Sequence, residues 1–321
     1  MQTGGRLMSR VIDTIASARY TSLATLLLGM LPVWTQTGFA AEPAPKARTT
    51  TEILEASAAT DWRVPDPENV LYLDLAAGRV VIELAPVFAP EHAVNLRALV
   101  RAKYFDGLTI NRSQDNFVVQ WGDADGTRSL GAARATLPPE FTVKAPASLP
   151  WVALPDADGF APEAGFSAGF PAARDRSRGE AWLAHCYGMV GVGRANEPDS
   201  GNGAELYVVI GHAPRQLDRN IAVVGRVIKG IELLSTLRRG TGALGFYETP
   251  AERTPIVAVR IAADVPAAER ENLELLRTDT ATFNGLIEAR RNRRDDWYQV
   301  PAGYVDLCNV PLPVRKSAGA R

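Results

Sequence analysis

Arg112 stands just ahead of Phe117-Val118-Val119-Gln120-Trp121, and this pairing of one cation with a short apolar run is where residue types and spacing first suggest chemistry. The run carries the β-branched and aromatic residues that strands favour, and Gly122-Asp123 ends it with turn chemistry. Period-two alternation sets Val118 and Gln120 on one face. Ser113 to Asn116 reads as a polar bend that lets Arg112 close back over that face. A cation beside an apolar surface suits a ligand that is part apolar and part polar. Taken alone, the pattern also fits an arginine paired with a surface carboxylate.

Other chemistries find less support. The three histidines, His92, His185 and His212, are widely spaced, and Cys186 beside His185 completes no zinc pattern, so neither metal nor cofactor is expected. Asp123-Ala124-Asp125-Gly126 lacks the later ligands and closing Glu of a calcium loop and reads as a turn. Gly191-Val192-Gly193 is too short to cradle phosphate, and no serine sits in a nucleophile elbow. A net charge of −1 and a pI near 6.4 give no field for nucleic acid or an anionic membrane. The basic run Arg290 to Arg294 is followed at once by Asp295-Asp296 and reads as a solvated helix end.

The elements around Arg112 follow from pattern. With 46% hydrophobic and 22% charged residues over 321 positions, the composition is that of a globular chain. Val70 to Leu75 and Arg79 to Leu84 flank Ala76-Ala77-Gly78 as a β-hairpin. Pro86 to Pro90 breaks the second strand, and Glu91 to Lys103 shows Ala93, Leu96, Leu99 and Val100 at helical spacing. Further strands are expected at Tyr207 to Ile210, Ala222 to Ile228 and Pro255 to Ile261, and a second amphipathic helix at Gly230 to Arg238.

The order of these signals resembles the cyclophilin family of peptidyl-prolyl cis/trans isomerases. It is carried by the hairpin, Ala89 to Leu96, Tyr104-Phe105-Asp106-Gly107, Arg112 with Phe117 to Asp123, Gly188 to Ala195, Gly203 to Val209, Leu217-Asp218 and Val223 to Val227. The resemblance covers residues 68–262. It implies a mainly β fold: a closed eight-stranded antiparallel β-barrel capped by two helices, with a substrate groove on its outer wall. By the same resemblance Arg112 stands at the family's catalytic arginine and Gln120 at its supporting glutamine. Phe117, Val118, Tyr207 and Leu217 stand at the proline pocket, and the backbone of Gly193, Arg194 and Ala195 would hold the peptide alongside. Val118 replaces a usual methionine, Tyr207 a phenylalanine, Glu205 a glutamine, Arg194 a common asparagine, Gln216 a tryptophan and Ile221 a histidine. The pocket floor thereby gains a phenol hydroxyl. Glu205 is expected to pair with Arg112 and so restrain it; the competing expectation is that Glu205 orients the guanidinium.

Four segments lie outside the core of that resemblance. Arg6, Arg10 and Arg19 precede the uncharged stretch Tyr20 to Trp34, and Gly38-Phe39-Ala40 follows, so residues 1–40 read as a secretory signal. Its apolar core, roughly fifteen residues with Pro32 inside, falls short of the about twenty that a membrane span needs; an uncleaved anchor is the alternative. Residues 41–67 read as a leader and linker. The stretch 124–187 is rich in Pro and Gly and reads as an ordered but irregular loop insertion beside the groove, with Trp151, Phe160, Phe166 and Phe170 to bury. Residues 263–321 read as a helical extension, with helices at Ala267 to Leu276 and Ala281 to Arg291, either packed on the barrel or protruding toward a partner. Cys186 and Cys308 are the only cysteines, and in an exported chain they are expected to form a disulfide; one buried and one exposed thiol is the alternative.

The resulting expectation is a periplasmic or secreted isomerase acting on proline-containing polypeptides, with no nucleic acid and no membrane partner after signal cleavage. The rival is a catalytically weak cyclophilin-fold module that binds extended chains as a chaperone or assembly subunit.

Overall fold

The computed structural model describes residues 48–294 and 297–317. The expected signal segment lies outside them. Eight strands close into an antiparallel barrel: β1 (Val70–Leu75), β2 (Gly78–Leu84), β3 (Thr109–Ser113), β4 (Val118–Gly122), β5 (Met189–Val192), β6 (Glu205–Val209), β7 (Val223–Lys229) and β8 (Thr254–Ile261). Around the barrel they run β5-β6-β4-β3-β8-β1-β2-β7, and β7 pairs back onto β5. Closure leaves no free edge. The expected hairpin is β1–β2, with Gly78 at φ 145° facing Leu75 in register.

Alternation divides each strand between two environments. Leu71, Leu73, Ile82, Ile110, Val119, Trp121, Leu206 and Val208 fill the interior. Among the described residues four helices accompany the strands: α1 (Thr50–Glu55), α2 (Pro90–Arg101), α3 (Ile231–Ser235) and α4 (Ala281–Arg291). Leu96 and Leu99 of α2 and Leu234 of α3 join the barrel's interior cluster. Ala89, ahead of α2, has no side chain to cap with, and Glu140 does so from a distance: its two oxygens accept from the amides of Glu91 (2.9 Å) and His92 (3.0 Å).

The insertion is not irregular. Its strands form a five-stranded antiparallel sheet, ordered 143–144, 180–183, 170–175, 163–167 and 152–153. The hairpin at its centre turns through Ala168 (φ 50°) and Gly169 (φ 87°). An alanine in the left-handed region is not a residue that turn chemistry flags, so this hairpin gives no signal of its own amid the prolines and glycines that read as loop. Phe166 and Phe170 are buried there as expected, whereas Phe160 stays 53% exposed.

The C-terminal extension is only half helical. α4 forms, and Phe283, Leu286 and Ile287 pack it against the insertion sheet, with Phe283 edge-on to Phe166 at 4.9 Å. Ala267–Glu269 is a single 3-10 turn and Leu273–Leu276 a strand between Trp62–Arg63 and Val314–Lys316. Leu and Glu favour helix there, but the strand buries Leu273 and Leu275 on the barrel's outer wall, and tertiary packing prevails. The described part of the expected linker is likewise ordered: Thr49 and Glu52 cap α1 reciprocally, and Ile53 and Leu54 face the core around α4. The basic run at the end of α4 is not simply solvated, because Arg291 pairs with Asp156 at 2.7 Å. Cys186 and Cys308 form the expected disulfide, joining the approach to β5 to the tail.

Candidate active site

Strict alternation would put Arg112 inside the barrel, since Ile110 two residues earlier points inward. A bulge intervenes: Ile110 pairs with Trp121 but Arg112 with Gln120, so one extra residue of β3, Asn111, shifts the phase. Arg112 therefore emerges on the outer wall from within β3 itself, directly beside Gln120, and not by folding back from the Ser113–Asn116 bend. Gln120 is flanked on its other side by Tyr207 of β6, with Glu205 two residues along the same face.

The guanidinium is fixed from three sides. Nε donates to the Leu244 carbonyl at 2.8 Å, Nη1 to Gln120 Oε1 at 2.9 Å, and Nη2 to Gln114 Oε1. The rings of Phe117 and Phe246 lie 5.5 and 5.2 Å from its centre. Every acceptor is a neutral amide oxygen, so the positive charge is oriented without being cancelled. An arginine carries five N–H groups and three are engaged here, leaving one on each terminal nitrogen for a ligand. Desolvation pulls the Arg112 pKa down, opposed by the charge of Glu205.

Beside the cation lies an apolar patch. Val118, Tyr207 and Val209 are buried, and Phe117 and Ile221 are half-buried around them. Tyr207 rests on Gly191, where a β-carbon would come within 2.2 Å of the ring. Leu217 is half-buried on the 3-10 turn Arg215–Leu217 and is not part of that cluster. The Tyr207 hydroxyl does not line the pocket, contrary to expectation; it is turned inward, 2.8 Å from His185 Nε2.

Glu205 and Arg112 form no direct ion pair. The carboxylate lies across Gly193, whose β-carbon would meet Oε2 at 2.8 Å, and Gln120 stands between it and Arg112. Burial pushes the Glu205 pKa up, against opposing pulls from the Gln120 amide and the Arg112 charge. Arg194 does not reach for a ligand either. It ties its own loop to the one before β7, donating to the carbonyls of Ala195 (2.7 Å) and Asn196 (3.2 Å) in the first and Asn220 (2.8 Å) in the second. Its backbone N–H and C=O take no partner among the described residues, whereas the Ala195 amide is held by Ser200 Oγ at 3.0 Å. One pair of main-chain groups is thus open to an extended peptide.

Gln114, Leu244 and Phe246 escape pattern reading. The glycines at 240, 242 and 245 around Leu244 are the signal that could have found that loop: Leu244 adopts φ 55° and aims its carbonyl at Arg112. No group of three or more His, Cys, Asp or Glu among the described residues is placed to hold a metal ion.

The closed eight-stranded barrel thus carries a cation and an apolar patch side by side on its outer wall. Residues 70–262 match the family model for cyclophilin type peptidyl-prolyl cis-trans isomerases, and the chain belongs to that family. A probable peptidyl-prolyl cis-trans isomerase of Brucella suis is 27% identical over 212 residues, covering 62% of this chain and 85% of the relative. Human peptidyl-prolyl cis-trans isomerase-like 1 is 26% identical over 202 residues, covering 63% and 93%. Among solved structures, the cyclophilin AquaCyp293 from Hirschia baltica matches with a TM-score of 0.63 and 27% identity, covering 79% of this chain and 92% of its own. The enzymatic class of the chain is peptidyl-prolyl isomerase.

Proposed function

We propose that this isomerase acts on X-Pro bonds of exported polypeptides, with Arg112 as the catalytic residue, and that residues 68–262 form its working domain. The observation that carries the reading is the fixed guanidinium with two N–H groups to spare beside the Phe117–Val118–Tyr207 patch.

An X-Pro bond has only a small trans preference, yet it interconverts slowly because twisting costs the amide its resonance, a barrier of about 18–20 kcal/mol. No covalent step is needed. As the C–N bond twists, the prolyl nitrogen regains a localised lone pair, and Arg112 can donate to it only in that state, which is differential stabilisation. Lowering the barrier by about 7 kcal/mol gives roughly a 10⁵-fold acceleration. One preorganised cation in a partly desolvated site, acting with a patch that anchors the ring, is of the right order. The open N–H and C=O of Arg194 would hold the chain beside the proline.

Glu205 fits a positioning role better than restraint. A carboxylate only accepts, so it favours the Gln120 rotamer whose NH₂ faces Glu205 and whose Oε1 faces Arg112. Export is supported by the Cys186–Cys308 disulfide, a bond of oxidising compartments, and by the basic, apolar, small-residue order of residues 1–40. Intact-mass analysis of exported protein should find an N-terminus near Ala41; Met1 still attached would remove that support.

The test is refolding of a protein whose slow phase is an X-Pro bond. Substoichiometric amounts of the chain should accelerate it. Acceleration that requires an equal amount of the chain would favour the binding module over the enzyme.

A further inference from the structure

Tyr207 ends in a hydrogen-bond chain that leaves the pocket and runs into the insertion. Its hydroxyl lies 2.8 Å from Nε2 of His185, a residue 1% exposed, with the two ring planes nearly parallel at 7°. His185 Nδ1 lies 2.8 Å from Asp218 Oδ1, and the His185 backbone amide donates to the same oxygen at 3.0 Å. The other oxygen of Asp218 accepts from Arg215 Nε at 2.6 Å and from Trp182 Nε1 at 3.4 Å. Arg215 is held in turn by two bonds to Asp158, at 2.9 and 3.2 Å. Asp158, Trp182 and His185 all belong to residues 124–187.

The direction of the bonds follows from the donors available. Burial pushes Asp218 up, but the bonds from His185 and the charge of Arg215 outweigh it and hold the carboxyl below its usual range. An ionised carboxylate only accepts, so Nδ1 of His185 carries a proton, and with Nε2 unprotonated the ring accepts from the Tyr207 hydroxyl. Burial drives the phenol pKa far up, which keeps that proton in place. Gly191 backs the ring on one side and Val118 and Val209 neighbour it, while the hydroxyl bond is what fixes it lengthwise.

We propose that His185, itself oriented by Asp218, is a positioning residue for prolyl binding: it sets the depth and plane of the Tyr207 ring and couples the insertion to the pocket. The proposal rests on the reading of the Tyr207 patch as the proline seat. It gives the insertion a role in the active site: the charged cluster under the barrel wall stiffens the seat from behind without touching substrate.

A double-mutant cycle on peptide binding tests it. The Kd of an Ala-Pro peptide is measured by NMR titration for wild type, Tyr207→Phe, His185→Gln and the double variant, with Tm recorded for each. Tyr207→Phe and His185→Gln should each weaken binding about fivefold, a loss typical of one hydrogen bond. The double variant should be no weaker than Tyr207→Phe alone, because His185 acts through the hydroxyl. Unchanged affinity in Tyr207→Phe, or full additivity in the double variant, overturns the proposal. Should His185→Gln fail to fold, Tyr207→Phe, which keeps the ring and its packing, decides the matter alone. Arg112→Ala, measured for turnover alongside, separates the two levels. Lost turnover with unaltered His185→Gln binding discards the positioning role and keeps the site, whereas full turnover discards the site.

Discussion

Two walls of one barrel show what distinguishes a site from a seam. On β1, β2 and β7 the outward face carries Val70, Tyr72, Val81 and Ile228, and the C-terminal strand lays Leu273 and Leu275 across them. On β4 and β6 the outward face carries Val118, Tyr207 and Val209, with half-buried Phe117 and Ile221 at its edge. Each wall also has an arginine on an aromatic ring: Arg79 lies 4.4 Å from the centre of Tyr72, and Arg112 lies 5.5 Å from that of Phe117. The difference is in their partners. Arg79 makes two bonds to the Asp74 carboxylate, at 2.7 and 3.3 Å, and that pairing, opposed by desolvation, raises its pKa. Arg112 is held only by neutral oxygens, and desolvation lowers its pKa. The first cation is neutralised by a carboxylate; the second is oriented by dipoles and keeps its charge, as the proposed role of Arg112 requires.

The largest expected effect breaks that contrast at the cation. Arg112→Ala should lower turnover by at least about tenfold with little change in Tm, and Arg112→Lys should recover little, because a flexible ammonium cannot hold three acceptors and still present a fork. Arg79→Ala should leave turnover alone and cost at most about 1 kcal/mol, as for a part-exposed pair. Denaturant unfolding and a proline-isomerisation assay on the same samples read both.

The covered wall should respond in the opposite sense. Leu275 is fully buried beneath the C-terminal sheet, and Leu275→Ala should cost about 2–5 kcal/mol while the folded fraction keeps its activity. Cys308→Ser should cost about 2–4 kcal/mol, since the bond closes a 122-residue separation. Urea midpoints check both; a Cys308→Ser protein as stable as wild type would show that the tail is held by packing alone.

Glu205 offers the smallest and most discriminating effect. Glu205→Gln should lower kcat/KM about threefold, because glutamine lets the Gln120 amide turn over. Wild-type activity should fall on acidification through the Glu205 titration, which burial places above the ordinary glutamate value, while the mutant's profile stays flat. For stability the sign is reversed. A carboxyl whose folded pKa is raised favours the fold below its unfolded pKa, and that contribution is lost as pH rises through the folded value. Glu205→Gln should therefore be somewhat more stable than wild type at neutral pH. A rise in kcat/KM would instead reinstate restraint.

Much of this contrast is legible in the sequence, and what is not has identifiable causes. The run at Phe117–Trp121, the first hairpin and the order of short strands all rest on local alternation, and they fold as read. The outward aim of Arg112 does not, because it depends on a bulge at Asn111 that alternation alone would contradict. Leu273–Leu276 reads as helix because its local preference is overruled by the wall it covers. The insertion sheet is hidden by an alanine in a turn position that usually calls for glycine or asparagine. His185 reads as an isolated histidine because Asp218, its partner, is 33 residues away in sequence and meets it only in the folded chain.

Magnetisation exchange between the cis and trans forms of an Ala-Pro peptide at equilibrium tests the central claim most directly, because it needs no coupled protease and sees only the bond in question. Exchange should be readily detected with wild type and with Arg79→Ala, and should fall by at least about tenfold with Arg112→Ala at equal concentration and unchanged Tm. Undiminished exchange with Arg112→Ala would contradict the account.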